Sequence, residues 1–370
     1  MNEDKSSRYH RQKRYYTAAS VAWSIGVLVL ALWSGFSLRL RDGALASAGA
    51  LGFPSLGIVT AFYLAGLGAL HEAGSLALGF LGGLRLERRY GLSMQSPARW
   101  AIDQLKALAI SFLLGWVAVT LIYWTMRVTP DYWWLLAGGL FALLLAVLAN
   151  LAPVLLVPIF YRIRPLARES LRLRLMALAD RAGTRVIGVY EWGLGDKTRK
   201  ANAALTGLGA TRRILVSDTM LAEYSDDEIE VVLAHELAHH VHGDIWKGLL
   251  FESGLILAGF FLGAQLLTSL VVPLGLRGID DIAGLPVLLL AAGLVSAAML
   301  PVAHALSRAH ERRADRFALD LTKNPGAFIS AMKRLGAQNL AEERPSRIVQ
   351  WLFYSHPPLA ERIAVARQRL

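Results

Sequence analysis

Long apolar runs separated by short charged stretches organise most of this chain. Six are long enough to cross a bilayer: about Thr17 to Phe36, Leu56 to Leu84, Ala107 to Met126, Tyr132 to Pro158, Gly248 to Val272 and Ala283 to Leu306. Arg127 to Asp131 links the third to the fourth, and Gly275, Gly278, Asp280 and Asp281 turn the last two into a hairpin. A polar loop is expected from Arg85 to Lys106. Lys5, Arg8, Arg11, Lys13 and Arg14 precede the first run, and the small residues Ala46, Ser47 and Ala48 lie well beyond it, behind Arg39 and Arg41. That order favours an uncleaved anchor over a cleaved signal peptide.

From Tyr161 to Lys247 the pattern changes. Charges become frequent, and Thr184 to Trp192 and Arg212 to Ser217 read as strands. Ser225 and Glu228 form an S-x-x-E capping box opening a helix, whose apolar face carries Ile229, Val232 and Leu233. Residues after the hairpin read as a basic helical tail. The expected organisation is a membrane region with four spans over 1–160, a small soluble domain over 161–247, a transmembrane hairpin over 248–306, and a C-terminal part over 307–370.

Composition agrees with a membrane protein. Of 370 residues, 55% are hydrophobic and 18% charged, with a mean hydropathy of +0.42, too apolar for an ordinary soluble domain. The net charge of +11 raises nucleic-acid binding. Its basic residues flank apolar spans rather than lining one recognition helix, so no nucleic-acid partner is expected, and the lipid bilayer is. Without cysteine there are no disulfides and no thiolate metal ligands. Six alternating spans put the basic tail, the Arg85 to Lys106 loop, the soluble domain and the C-terminus on one side. The opposite loops carry Arg39, Arg41, Arg127 and Arg277, so the positive-inside rule makes the first side cytoplasmic.

The chemistry sits on the capped helix, in His235-Glu236-Leu237-Ala238-His239. Two histidines four apart on a helix point the same way and can share a metal, while Glu236 lies beside them as a candidate general base. Zinc hydrolases use three protein ligands and one open position. A metzincin continuation would need Gly at 242 and His at 245, where this chain has His242 and Ile245, and Glu252 lies in an apolar run. Glu311 remains as the third ligand, with Asp315 one turn on to accept a hydrogen bond from a ligand histidine. The competing reading pairs both carboxylates with Arg308 and Arg312 on a solvated face. Because an even number of spans separates His239 from Glu311, the chain returns to the face it left. His240, His242, His304 and His310 read as non-ligands, and Asp244 is a candidate to cap or orient.

Two further stretches matter. Lys200 to Leu208, small and polar before the strand at Arg212, reads as an exposed edge facing the metal helix, where a substrate could add as an extended strand; a loop that only packs the domain is the alternative. Within the second span, His71 and Glu72 either line a wet cavity or make a satisfied interhelical hydrogen bond.

Together, His235-Glu236-x-x-His239, Ser307-Arg308 with Glu311 and Ala314-Asp315, Tyr354-Ser355-His356-Pro357-Pro358-Leu359 with Glu361-Arg362, and the Glu87 to Gln95 loop resemble the type I CAAX prenyl endopeptidases. These are integral-membrane zinc metalloproteases related to the HtpX group, and the resemblance runs from about Tyr9 to Ile363. It implies a mainly α polytopic membrane fold of about six transmembrane helices with a small α+β gluzincin-type metalloprotease domain. One zinc ion per chain is implied on His235, His239 and Glu311, with Glu236 as general base, His356 and Arg362 near the scissile bond, and Asn202-Ala203 on a substrate-binding edge strand. His356 is then placed to donate to the developing oxyanion. The chain departs from the family at Ala238, usually Gly, and at Lys200-Ala201, where a His-Ser pair is usual. Eukaryotic members carry a further span before the matching part, and Arg367-Gln368-Arg369-Leu370 is not a CAAX box. The expectation is a multi-pass zinc endopeptidase with its catalytic domain facing the cytoplasm, in the cell (inner) membrane if prokaryotic, acting on a peptide or protein, membrane-associated or lipidated. An HtpX-like quality-control protease is the nearest alternative. A non-proteolytic scaffold or transporter is a distant one, since the metal set is intact.

Overall fold

The structure, a computed structural model, describes residues 4–207, 209–342 and 345–370. Among them, six helices are long and apolar enough to cross a membrane: Lys5–Trp33, Leu56–Arg89, Pro97–Val128, Trp133–Phe160, Asp244–Leu270 and Ile282–Thr322. Each overlaps one of the runs expected from the hydrophobic pattern: Leu56–Arg89, Pro97–Val128 and Ile282–Thr322 contain theirs whole, and the other three begin or end within three residues inside theirs while extending beyond at the opposite end. Between the first two lies a shorter helix, Phe36–Ala50, that the span pattern did not anticipate. It closes one end of the bundle: Ser37 Oγ donates to the Ala283 carbonyl at 2.6 Å, and Arg41 Nη1 lies 2.5 Å from the buried Asp281 carboxylate.

Two sequence expectations need correction. The stretch from Arg85 to Lys106 is largely helical: the second span continues to Arg89, partly as a π-helix over Phe80–Arg85, and a new helix starts at Pro97. Ser96 caps that helix through the Arg99 N–H, and proline at the first helical position is pre-set for it. In between, Ser93 forms a bridge with Thr198, so the segment packs on the part of the chain between the fourth and fifth membrane-length helices. The strand expected from Thr184 starts only at Val189, because Gly183, at φ 68°, and the Thr184 N–H bond to the Ala179 carbonyl belong to the end of the preceding helix.

Among the described residues, the part between the fourth and fifth membrane-length helices is built on four strands, β1 (Ile163–Pro165), β2 (Val189–Trp192), β3 (Ala203–Thr206) and β4 (Arg213–Ser217), in the order β1-β2-β4-β3. β2 and β4 are parallel, and the outer pairs are antiparallel. Helix Glu169–Arg181 buries Leu171, Leu175 and Leu178, one face at helical spacing, against Ile214 and Val216 of β4 and Ile229, Leu233 and Leu237 of helix Asp226–Val241. Phe328 and Met332, from beyond the membrane hairpin, complete the same core. Residues on both sides of the hairpin thus share one hydrophobic interior, which fixes the ends of the hairpin relative to each other.

Candidate metal centre

Helix Asp226–Val241 carries the motif, and its start is held firmly. The Glu228 N–H donates to Ser225 Oγ at 3.3 Å, and the Ser225 N–H donates to Glu228 Oε2 at 2.9 Å. Glu228 also accepts from Ser330 and, at 2.9 Å, from Arg334, tying the motif helix to the segment after the hairpin. At its other end Gly243, at φ 66°, turns the chain straight into membrane helix Asp244–Leu270. His235 and His239 present their rings at 5.1 Å between centroids and nearly perpendicular.

Helix Leu285–Thr322 brings the third group back. Its apolar part comes first, and Glu311 and Asp315 lie in the charged part that follows, both buried. Glu311 Oε2 is 3.2 Å from His235 Nε2, and Glu311 Oε1 is 3.4 Å from His239 Nε2. Behind the rings, His235 Nδ1 lies 2.9 Å from Asp315 Oδ1 and His239 Nδ1 lies 3.0 Å from Asp244 Oδ2. Asp315 is in turn held by Arg362, through Nε at 2.8 Å and Nη2 at 2.6 Å, and Asp244 by Arg313. The competing reading of a solvated ion-pair face fails. Arg312 pairs with Glu361 at 2.6 Å, while Arg308 donates to the carbonyls of Gln350 and Tyr354 and so ties down the segment leading to His356.

The residues fit a metal cation. Ligand atoms of His235, His239 and Glu311 all lie within 4.8 Å of one another. Donation from each Nδ1 to a carboxylate leaves each Nε2 with its lone pair facing Glu311, and the buried Glu311 Oε2 has no hydrogen-bond partner among the described residues. Electron pairs facing one another in a buried place need a positive charge between them. A proton is one way to supply it: burial opposes a charge on His235, but Asp315 and Glu311 outweigh burial and push its pKa up to about 9. His239 is raised too, as its carboxylate neighbours overcome burial. Burial raises the Glu236 carboxyl.

A cavity of about 400 Å³ opens beside these groups, lined by Asn202, Ala203, His235, Glu236, His356 and Arg362 among others. His356 Nε2 stands 3.4 Å from Glu311 Oε1, and its Nδ1 is 2.9 Å from Ser355 Oγ. β3 is the edge strand, and its register shows what it offers. Ala203 pairs with Val216, while the Ser217 N–H donates to the Asn202 carbonyl at 2.9 Å, making 202 and 217 a bonded pair. Ala203 is therefore the next, non-bonded position, and its own N–H and C=O point away from β4 to the open edge. Two residues on, Leu205 also points outward, and its carbonyl meets His240 Nε2 at 3.1 Å. The open edge thus faces the motif helix and is closed beyond Ala203 by His240. The Asn202 main-chain N–H is used by Ser217 Oγ at 3.0 Å, so this residue offers its exposed side chain instead. Leu208, the last residue of the expected edge stretch, lies outside the described residues.

Comparison with known proteins places the chain among metalloproteases. A model of "Peptidase family M48" matches residues 165–370, and one of "CAAX prenyl protease N-terminal, five membrane helices" matches residues 2–162. The chain belongs to peptidase family M48. It is similar to the metalloprotease YhfN of Bacillus subtilis, 33% identical over 77% of this chain and 68% of the relative. CAAX prenyl protease 1 of Saccharomyces cerevisiae is 27% identical over 81% of this chain and 70% of its own. In fold the chain resembles the crystal structure of S. mikatae Ste24p, with a TM-score of 0.87 at 22% identity, covering 98% of this chain and 88% of the other. As an M48 peptidase with six membrane-length helices among its described residues, it is an integral, multi-pass metalloendopeptidase acting on a peptide or protein.

Some of the site was not apparent before the structure. Sequence left the role of Asp244 open between capping and orienting, and its carboxylate holds His239. His240, set aside as a ligand, terminates the free edge. His71 Nε2 lies 3.0 Å from Ser24 Oγ on the first helix, an interhelical contact, and Nδ1 lies 3.3 Å from Glu72.

Proposed function

We propose that this M48 peptidase uses zinc, faces the cytoplasm with its catalytic side, in the inner membrane if prokaryotic, and cleaves a membrane-associated polypeptide laid extended along the free edge of β3. One observation carries the reading: two imidazoles, each held from behind by a carboxylate, converge with Glu311 beside the outward-facing N–H and C=O of Ala203. His235, His239 and Glu311 would hold the metal. When bound, zinc would supply the Lewis acidity that polarises the scissile carbonyl.

The chain's own residues do the rest. Ala203 exchanges main-chain hydrogen bonds with the substrate and aligns it across the cavity, with the Asn202 side chain beside it. Glu236, whose carboxyl burial makes a stronger base, takes the proton of the attacking water and returns it to the leaving amine. His356 donates to the developing oxyanion, a kind of contact whose loss costs about a hundredfold in rate. Asp315 and Asp244 keep the histidine tautomers fixed, and Arg362 locks Asp315 while reaching the cavity wall.

The yeast relative's name, CAAX prenyl protease 1, supports a prenylated CAAX-type chain as the first substrate to try. The test is cleavage by the purified protein in detergent, comparing a prenylated peptide with the same peptide unmodified, with chelator and after zinc is returned. Chelator-sensitive cleavage, restored by zinc and faster on the prenylated peptide, is expected. Equal cleavage of both peptides would replace the CAAX reading with a broader, HtpX-like one, and zinc-independent cleavage would remove the metal role.

A further inference from the structure

Away from the metal, a second cavity of about 750 Å³ lies between the first membrane helix and the end of the second. Its lining is graded. Phe80, Leu81 and Leu84 come from the last apolar turns of the span, Tyr15 and Tyr16 from the neighbouring helix, and Arg85, Arg88 and Arg89 from the turns beyond. The three arginines stand at i, i+3 and i+4, so they share one face, and all are exposed. None of them has an ion-pair or hydrogen-bond partner for its guanidinium among the described residues. The nearby carboxylate, Glu87, lies on the opposite face, engaged by the Tyr9 hydroxyl at 3.1 Å, Lys13 at 3.3 Å and Lys200 at 2.9 Å.

The backbone here is irregular in a way that shapes the cavity. Phe80–Arg85 forms a π-helix, a widened turn often found at functional sites. The two helices approach closely at this turn, since a Cβ on Gly82 would lie 2.6 Å from Tyr16 Cβ, and the Gly82 carbonyl accepts from Lys13 Nζ at 3.3 Å. Phe80, Leu81, Leu84 and Arg85, all within this turn, line the same hollow.

We infer that this cavity binds the phosphodiester headgroup of an anionic membrane phospholipid, with the three guanidiniums on the phosphate and the lipid's glycerol and upper acyl carbons against Phe80, Leu81 and Leu84. Guanidinium groups match phosphate oxygens in pairs, and tyrosines favour the depth at which headgroups lie. A free phosphate would use the charged half of the cavity and leave the apolar half unfilled. A zwitterionic lipid would bring a second positive charge towards three unneutralised ones.

The experiment uses the full chain in a neutral detergent with three additives at matched ionic strength: dihexanoyl phosphatidylglycerol, dihexanoyl phosphatidylcholine and inorganic phosphate. Native mass spectrometry reads binding and a thermal melt reads Tm. Wild type should bind the phosphatidylglycerol about tenfold or more in preference to the phosphatidylcholine and gain a few degrees in Tm, with no gain from phosphate. The triple variant R85Q/R88Q/R89Q should lose that preference while cleaving peptide as wild type does. Should it fail to fold, Arg88→Gln alone should reduce the preference. Equal binding of the two lipids by wild type, a preference retained in the folded variant, or the same Tm gain from phosphate alone would overturn the assignment.

Discussion

His239 Nδ1 and Asp244 Oδ2 lie 3.0 Å apart, and Asp244 is the first residue of the membrane helix that follows the motif. The metal centre and the bilayer anchor are therefore joined across one left-handed glycine, Gly243, rather than through a linker. Asp244→Asn removes the charge that orients His239 but keeps its shape. It should weaken metal retention by about 10- to 100-fold, the usual cost of losing such a partner. Metal content after dialysis against graded chelator checks this; full retention would reduce Asp244 to a helix start.

Wild type should hold about one zinc per chain, nearly lost in His235→Ala, His239→Ala and Glu311→Ala. Glu236→Gln should keep the zinc and lose cleavage, because it alters proton transfer and leaves the ligands in place. Elemental analysis beside a peptide assay separates the two classes. Full zinc in Glu311→Ala would mean another group is the third ligand.

Reporter fusions after Lys247 and at the C-terminus should both be cytoplasmic, and one at Gly278 should lie on the far side. Helices Asp244–Leu270 and Leu285–Thr322 form the hairpin that puts the first two fusions on one side and the third on the other, since Glu311 must return to His235. Finding the fusion at Gly278 in the cytoplasm would contradict the assigned orientation.

Glu228 gives an acid limit to stability. Burial would raise its pKa, but bonds from Ser330, the Ser225 backbone and Arg334 outweigh burial and hold it below the usual carboxylate range. A depressed carboxylate stabilises the fold above its unfolded pKa of about 4.5, and that contribution is lost as pH falls through the folded value. Glu228→Gln should therefore cost about 1–3 kcal/mol at pH 7 and show a flatter Tm between pH 5 and 3 than wild type. Identical melts at pH 7 would show that the link between motif helix and hairpin exit carries no stability.

Much of this architecture was written in local patterns that sequence displays. The six apolar runs, the Ser225 to Glu228 box and the HExxH spacing each depend on neighbours within one element, and the structure has them all. Glu311 and Asp315 were reachable because counting spans says which face the chain returns to. What stayed hidden depends on tertiary placement. The His240 contact to the Leu205 carbonyl requires knowing that β3 runs past the motif helix. Nor does any pattern in Phe80–Arg85 reveal a π-turn, which coincides with the close approach of Gly82 to Tyr16 on another helix.

The open edge at Ala203 allows a test in which position alone decides the outcome. Ala203 directs its N–H outward, whereas Ala204, opposite Leu215, is in the bonded register with β4. Proline at 203 removes a donor that the sheet does not use, and the edge position tolerates it. Ala203→Pro should thus cut cleavage strongly, chiefly through KM, while zinc content and Tm stay near wild type. Proline at 204 removes a ladder hydrogen bond inside the domain core and should lower Tm as well. If Ala203→Pro cleaves as wild type does, substrate does not pair with β3, and the metal centre must take its substrate from another direction.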